Sequence, residues 1–278
     1  MKSIMKKAAT LILVFAFMVS LFSPMALSQE GEFDFERAYQ DYSYNYGVYR
    51  RAHNDYILAR GQYLTYQTLK SKTNGQQATL VMLQARDEVI ITYLTAIRLK
   101  LIETDGVSDF EKEVFFTRID AEVEWYKSHK SSLPSAGNLE DLVESSGDAE
   151  DRYKTTEVLV YQALTTILVG KENGFRIDLS GIIEEVKAKV AEIRQNQDKN
   201  TRKVERWVLE AENRLTRSQE KQFSAQDEIS GLKEREKNKY KFYNQVQLRV
   251  KESHQYLKEA SSFLKEIVDD LKTQDVEL

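Results

Sequence analysis

The chain of 278 residues is 30% charged, with a formal net charge of −4 and no cysteine, so a disulfide-stapled fold is excluded and stability must come from packing. Its 44 Asp and Glu outnumber its 40 Lys and Arg, which argues against nucleic acid or an anionic membrane as a partner for the chain as a whole. Only two prolines, Pro24 and Pro134, obstruct an almost wholly helical chain.

The N-terminus reads as a targeting segment. Lys2, Lys6 and Lys7 precede an uncharged apolar run from Ala8 to Ser23, then Pro24 and Ala26-Leu27-Ser28. This is the pattern of a secretory signal, with cleavage expected after Ser28. An uncleaved anchor is the alternative, but the run falls short of the roughly 20 residues that cross a bilayer. Cleavage leaves 250 residues with 37 basic and 44 acidic side chains. No cysteine follows for lipid attachment, and residues 274–278 offer no apolar tail. The expectation is an extracytoplasmic protein, secreted, periplasmic or surface-associated, without stable membrane insertion.

The first helix is expected from about Phe33 to Ser71. Phe35, Tyr39, Tyr42, Tyr46, Tyr49, His53, Tyr56, Tyr63 and Tyr66 alternate in steps of four and three, with Ala59 filling one gap, which keeps one seam aromatic. Gly47 and Gly61, at the same heptad position, either admit a close partner helix or are merely tolerated. Gly75 is expected to end the helix. A second helix over 77–103 carries Leu80, Leu83, Ile90, Leu94, Ile97 and Leu101, widened by Val81, Met82, Val89, Ile91 and Tyr93. This breadth predicts the most buried helix of the chain. Asp105-Gly106-Val107 then reads as a helix end and Ser108–Glu111 as a capping box, because calcium-loop spacing is absent.

A third helix over 109–133 stops at Pro134, and Asn138 can cap the next. The fourth helical region starts at Leu139, weakens at Ser145-Ser146-Gly147-Asp148, resumes over 152–169 and is expected to close at Asn173-Gly174. Its apolar stretch Val158–Gly170 is too short to span a bilayer and reads as core. Beyond Asp178 charge rises and aromatics thin. Ile182, Val186, Val190, Ile193, Val204, Val208, Ala211 and Leu215 form one arm. Tyr243, Val246, Val250, Leu257, Ala260, Leu264, Ile267 and Leu271 form another, with Ser253 as its polar rung. An antiparallel hairpin turning near Gly231 would set Leu215 opposite about Gln247 and Val204 opposite about Lys258. The rival turn is Gln195–Thr201.

The chemistry of an active site is missing from the sequence. His53, His129 and His254 form no Glu-x-x-His or His-x-x-x-His pair, and neither a nucleophile elbow nor a glycine-rich phosphate loop occurs. No catalytic residue, metal or cofactor is therefore expected. Eight of the fifteen tyrosines lie between Tyr39 and Tyr66, a density suited to a half-exposed recognition surface or to rings covered by later helices. His53, within that seam, either bonds a phenol or acts as a pH-sensitive ligand.

The predicted fold is all-α: a secretory signal over 1–28, an up-and-down helical bundle over 29–175, and a long antiparallel coiled-coil hairpin over 176–278. The predicted function is non-enzymatic binding or scaffolding through a protein partner or self-association, with Tyr39, Tyr42, Tyr46, Tyr49, His53 and Tyr56 as the candidate surface. An extracytoplasmic holdase and an amphipathic-helix lipid binder are the alternatives.

Overall fold

A computed structural model describes residues 34–195 and 201–276, with side chains through Leu271. The expected signal segment, residues 1–28, lies outside the described residues. Among them are six α-helices and one 3-10 turn, and no strand: α1 (Phe35–Tyr66), α2 (Leu69–Ile102), α3 (Asp109–Ser132), the turn Leu133–Ser135, α4 (Leu139–Gln195), α5 (Arg202–Ser230) and α6 (Lys239–Val276). The all-α expectation holds, and the helices pack against one another as a bundle.

Helix α4 organises the molecule. At 57 residues it is roughly 85 Å long at 1.5 Å per residue. Its N-terminal end joins α1, α2 and the 3-10 turn in a cluster that includes Ala52, Met82, Leu83, Leu133 and Leu142. Next come α2 and α3, through Leu94, Leu101, Ile119, Leu159, Ala163 and Ile167. Over the same stretch of α4, the far end of the α5–α6 pair packs on Val158 and Val169. The last turns of α4 form a three-helix core with α5 and α6. The segment 158–170 is thus core, with Val158, Leu159, Ala163, Thr165, Ile167, Val169 and Gly170 all buried.

Two expected helix ends fall elsewhere. Gly75 does not stop the first helix but lies buried inside α2 beside Tyr63. The break comes at Gln67, which takes the left-handed conformation (φ 48°, ψ 28°), and Thr68, which caps α2 in reciprocal bonding with Ser71. Asn173-Gly174 does not close a helix either, since α4 continues through it. Instead Asn173 Nδ2 donates to the Gly106 carbonyl at 2.9 Å. A Cβ on Gly106 would fall 1.9 Å from the Gly170 carbonyl oxygen, so the α2–α3 turn is pressed directly onto α4. Glycine here permits backbone contact and not a turn. The weak stretch around Gly147 is also helical, held by buried Leu142 and Ala149 on either side, so packing overrides propensity. The Ser108–Glu111 capping box and the Asn138 cap form as expected.

The C-terminal arms turn twice. Lys187 pairs with Glu212 at 2.5 Å and Arg194 with Glu205 at 3.9 Å, so α4 and α5 run antiparallel. Residues 196–200, most of the rival turn, lie outside the described residues. Helix α5 then ends at Ser230 with Gly231 as its cap, and α6 begins at Lys239. The pairs Lys203–Asp270 (2.7 Å), Arg214–Glu259 (3.2 Å) and Lys221–Glu252 (2.6 Å) fix the register. They set Leu215 near Lys258 and Val204 near Asp269, in place of the expected Gln247 and Lys258. The connection from 231 to 238 centres the reversal beyond Gly231, which displaces the register by about three helical turns. A slip of whole turns keeps the apolar faces matched, which is why heptad spacing alone does not detect it.

Candidate functional site

The buried residues of α1 are not its tyrosines but Ala38, Ala52 and Ala59. Two helices joined by Gln67-Thr68 alone must lie close together, and alanine allows the backbones to approach. The aromatic seam then divides in two. Tyr42, Tyr49, Tyr56 and Tyr63 are half-buried beside the alanine line. Tyr42 packs its ring 4.9 Å from Tyr93 of α2, while Tyr49 and Tyr56 join the Met82–Leu83 cluster. Tyr39 and Tyr46 sit one position outward, 47% and 46% exposed. His53 is half-buried between the rings of Tyr49 (5.7 Å) and Tyr56 (6.2 Å). Neither glycine of α1 touches another helix: Gly61 has open space and Gly47 meets only Arg51, which favours simple tolerance.

The seam continues beyond its own helix. Tyr39, Tyr42, Tyr153 of α4 and Tyr243 of α6 all lie near enough to Tyr93 of α2 to oppose its ionisation, and Tyr42 does the same to Tyr153. Burial, the larger cause, pushes Tyr93 up to about 12 and raises Tyr153 and Tyr243. Tyr161 stacks on Tyr243 at 4.7 Å, and its hydroxyl is raised by burial and by Glu157. The result is a tyrosine-lined flank with α2 as its floor, from which Tyr39, Tyr46 and Tyr153 project into solvent. The raised phenols Tyr42, Tyr93, Tyr153, Tyr161 and Tyr243 stay neutral at ordinary pH and can donate or accept hydrogen bonds.

A second constellation escaped the sequence reading. Asp87 of α2, fully buried, accepts from His129 Nδ1 of α3 at 2.6 Å. His129 Nε2 donates to the Ser145 carbonyl of α4 at 3.0 Å, and the imidazole stacks on Trp125. Both ring nitrogens face acceptors, so the imidazolium is the form that satisfies both. The Asp87 bond accordingly holds the His129 pKa above its ordinary value, against burial and the nearby Arg86. Beside it, Arg152 makes a two-pronged bond to buried Glu122 (3.0 and 2.7 Å). Thr156 donates to Glu122 at 2.7 Å and meets the Tyr126 hydroxyl at 3.2 Å, with Tyr126 pushed up to about 12 by burial. A signal for Asp87 was present: the stripe Leu80, Leu83, Ile90, Leu94 skips one rung, and Asp87 occupies it.

These buried groups pair with each other and clamp α2, α3 and α4 together. His254 pairs separately with Glu172 at 3.2 Å, between α6 and α4. Among the described residues no group of three His, Asp or Glu is placed to hold a metal. An open groove of about 620 Å³ runs between α4 and α5, over Val190, Val208 and Leu209. Its rim charges Lys187, Glu212, Arg194 and Glu205 pair across it. Among the described residues no helix is long and apolar enough to cross a membrane. No protein-family model, curated protein or solved structure matches the chain.

Proposed function

We propose that this is an exported, non-enzymatic binding or scaffold protein whose tyrosine-lined flank, centred on Tyr39, Tyr42 and Tyr46, grips a protein partner. One observation carries the reading: the outer tyrosines of α1 are left half in solvent, although the same helix buries only alanines. Rings with two rotatable bonds and a polar tip make strong contacts at small entropic cost, which is why they are favoured at recognition surfaces. The inward ring Tyr42 supplies a rigid base, while Tyr49, His53 and Tyr56 extend the seam toward the far end of the hairpin. Helix-to-helix contact, including coiled-coil pairing of α5 and α6, supplies the scaffold.

The test uses the chain from residue 29 onward, which retains every described helix. Chemical cross-linking in its native envelope or medium is compared between the wild type and Tyr39→Ala plus Tyr46→Ala. The reading expects specific adducts that the double variant loses while its melting temperature stays within a few degrees. Unchanged adducts together with a lowered melting temperature would reduce the seam to packing.

A further inference from the structure

We propose that the closed end of the α1–α2 hairpin is a peripheral docking surface for an anionic lipid surface, an activity separate from the tyrosine flank. The end is apolar where it should be polar. Ile57, Leu58, Leu64, Tyr66 and Leu69 are all exposed, Leu69 to 83%. Ile57 and Leu64 lie one heptad apart on one side of α1, Leu58 sits about 100° around the helix from Ile57, and Gly61 faces open space. Tyr66 and Leu69 flank the two-residue turn. Scattered surface leucines need no explanation, but five exposed large apolar side chains within residues 57–69 do.

Charge selects the occupant. Between Tyr56 and Arg86 the sequence contains no Asp or Glu, in a chain where acids outnumber bases. Arg60 and Lys70 are exposed and make no ion pair among the described residues, whereas Lys72 is engaged by Glu140 at 3.1 Å. The whole-chain charge therefore conceals a cationic end. A hairpin end with exposed leucines, a tyrosine and unpaired Lys and Arg suits a lipid interface: the aliphatic groups dip below the headgroups while phenol and cations stay level with them. Each cation near an anionic surface adds about 1 kcal/mol, or roughly fivefold in affinity. The contact is shallow, in keeping with the absence of a membrane-spanning helix among the described residues.

The test is co-sedimentation of the chain from residue 29 onward with vesicles of phosphatidylcholine, with or without phosphatidylglycerol, at low and high salt. The proposal expects binding that requires the anionic lipid and weakens with salt. Leu64→Ser with Leu69→Ser, and separately Arg60→Glu with Lys70→Glu, should each weaken it by at least about tenfold. Both pairs are solvent-exposed, so circular dichroism and melting should be unchanged. Tyr39→Ala plus Tyr46→Ala should leave vesicle binding intact, which separates this surface from the tyrosine flank. Absence of vesicle binding, or binding that survives both pairs of changes, overturns the proposal. It is equally overturned if the same changes abolish concentration-dependent self-association without vesicles, because the occupant is then a second copy of the chain.

Discussion

The α1–α2 and α5–α6 pairs are both long antiparallel helices with seven-residue repeats, yet they put those repeats to opposite uses. In α5–α6 the repeat is aliphatic and closed: Val204, Val208, Ala211 and Leu215 meet Leu257, Ala260, Leu264 and Ile267, and α4 seals the third side. One polar layer interrupts it, where Ser218 and Ser253 hydroxyls meet at 2.8 Å and Gln222 reaches both. In α1–α2 the repeat alternates alanine with tyrosine, so close approach is bought with small residues while the rings are displaced to the rim. Spacing decides that a helix has a seam. Side-chain chemistry decides whether the seam becomes interior or surface.

Single substitutions can break that contrast at graded cost. The largest effect is expected at the α2–α3 turn, where Gly106→Ala drives a Cβ into the Gly170 backbone and should cost about 3 kcal/mol in denaturant unfolding. By comparison, Gly61→Ala on the open face of α1 should stabilise by up to about 1 kcal/mol. Asp87→Ala leaves a buried imidazolium without its counter-charge and should cost about 2–3 kcal/mol near neutrality. The sign with pH follows from the raised His129 pKa. Stabilisation is complete below the ordinary imidazole value of about 6.5 and fades as pH rises through the raised folded value. Asp87→Ala should flatten that decline in melting curves recorded across the same range.

Ser218→Ala leaves Ser253 and Gln222 short of a buried partner and should cost about 1–2 kcal/mol in denaturant unfolding. Double-mutant cycles between Ser218 and Ser253 measure that coupling. A second gain is expected at the α1–α2 break. Gln67 holds a left-handed conformation that glycine adopts freely, so Gln67→Gly should raise stability by about 1 kcal/mol in thermal unfolding.

The helical class, the capping box at Ser108, the Asn138 cap and the buried stretch of α4 were legible because each depends on neighbouring residues. What was not legible depends on contacts across the fold. The α1–α2 break was hidden because Thr68-Leu69-Lys70-Ser71 is a weak capping signature, with serine where a box usually has Glu or Gln, while Gly75 offered a stronger local stop. Gly170 and Gly174 gave no local sign that another turn would press on them. The α5–α6 register was hidden because a slip of whole turns preserves the apolar match. For the candidate site, the seam was legible as a set, but its division into inward Tyr42, Tyr49 and Tyr56 and outward Tyr39 and Tyr46 required the alanine line to be placed. Asp87–His129 needed two helices to be brought together, although the missing rung at Asp87 announced one half of it.

If the outward tyrosines of α1 serve a partner, tyrosine-selective labelling read out by mass spectrometry will find them covered where that partner is present. In the isolated protein Tyr39, Tyr46, Tyr44 and Tyr240, all exposed, should react while buried Tyr126 does not. In the native envelope or medium Tyr39 and Tyr46 should lose reactivity while Tyr44 and Tyr240 keep theirs. Equal reactivity of all four in both conditions would contradict it.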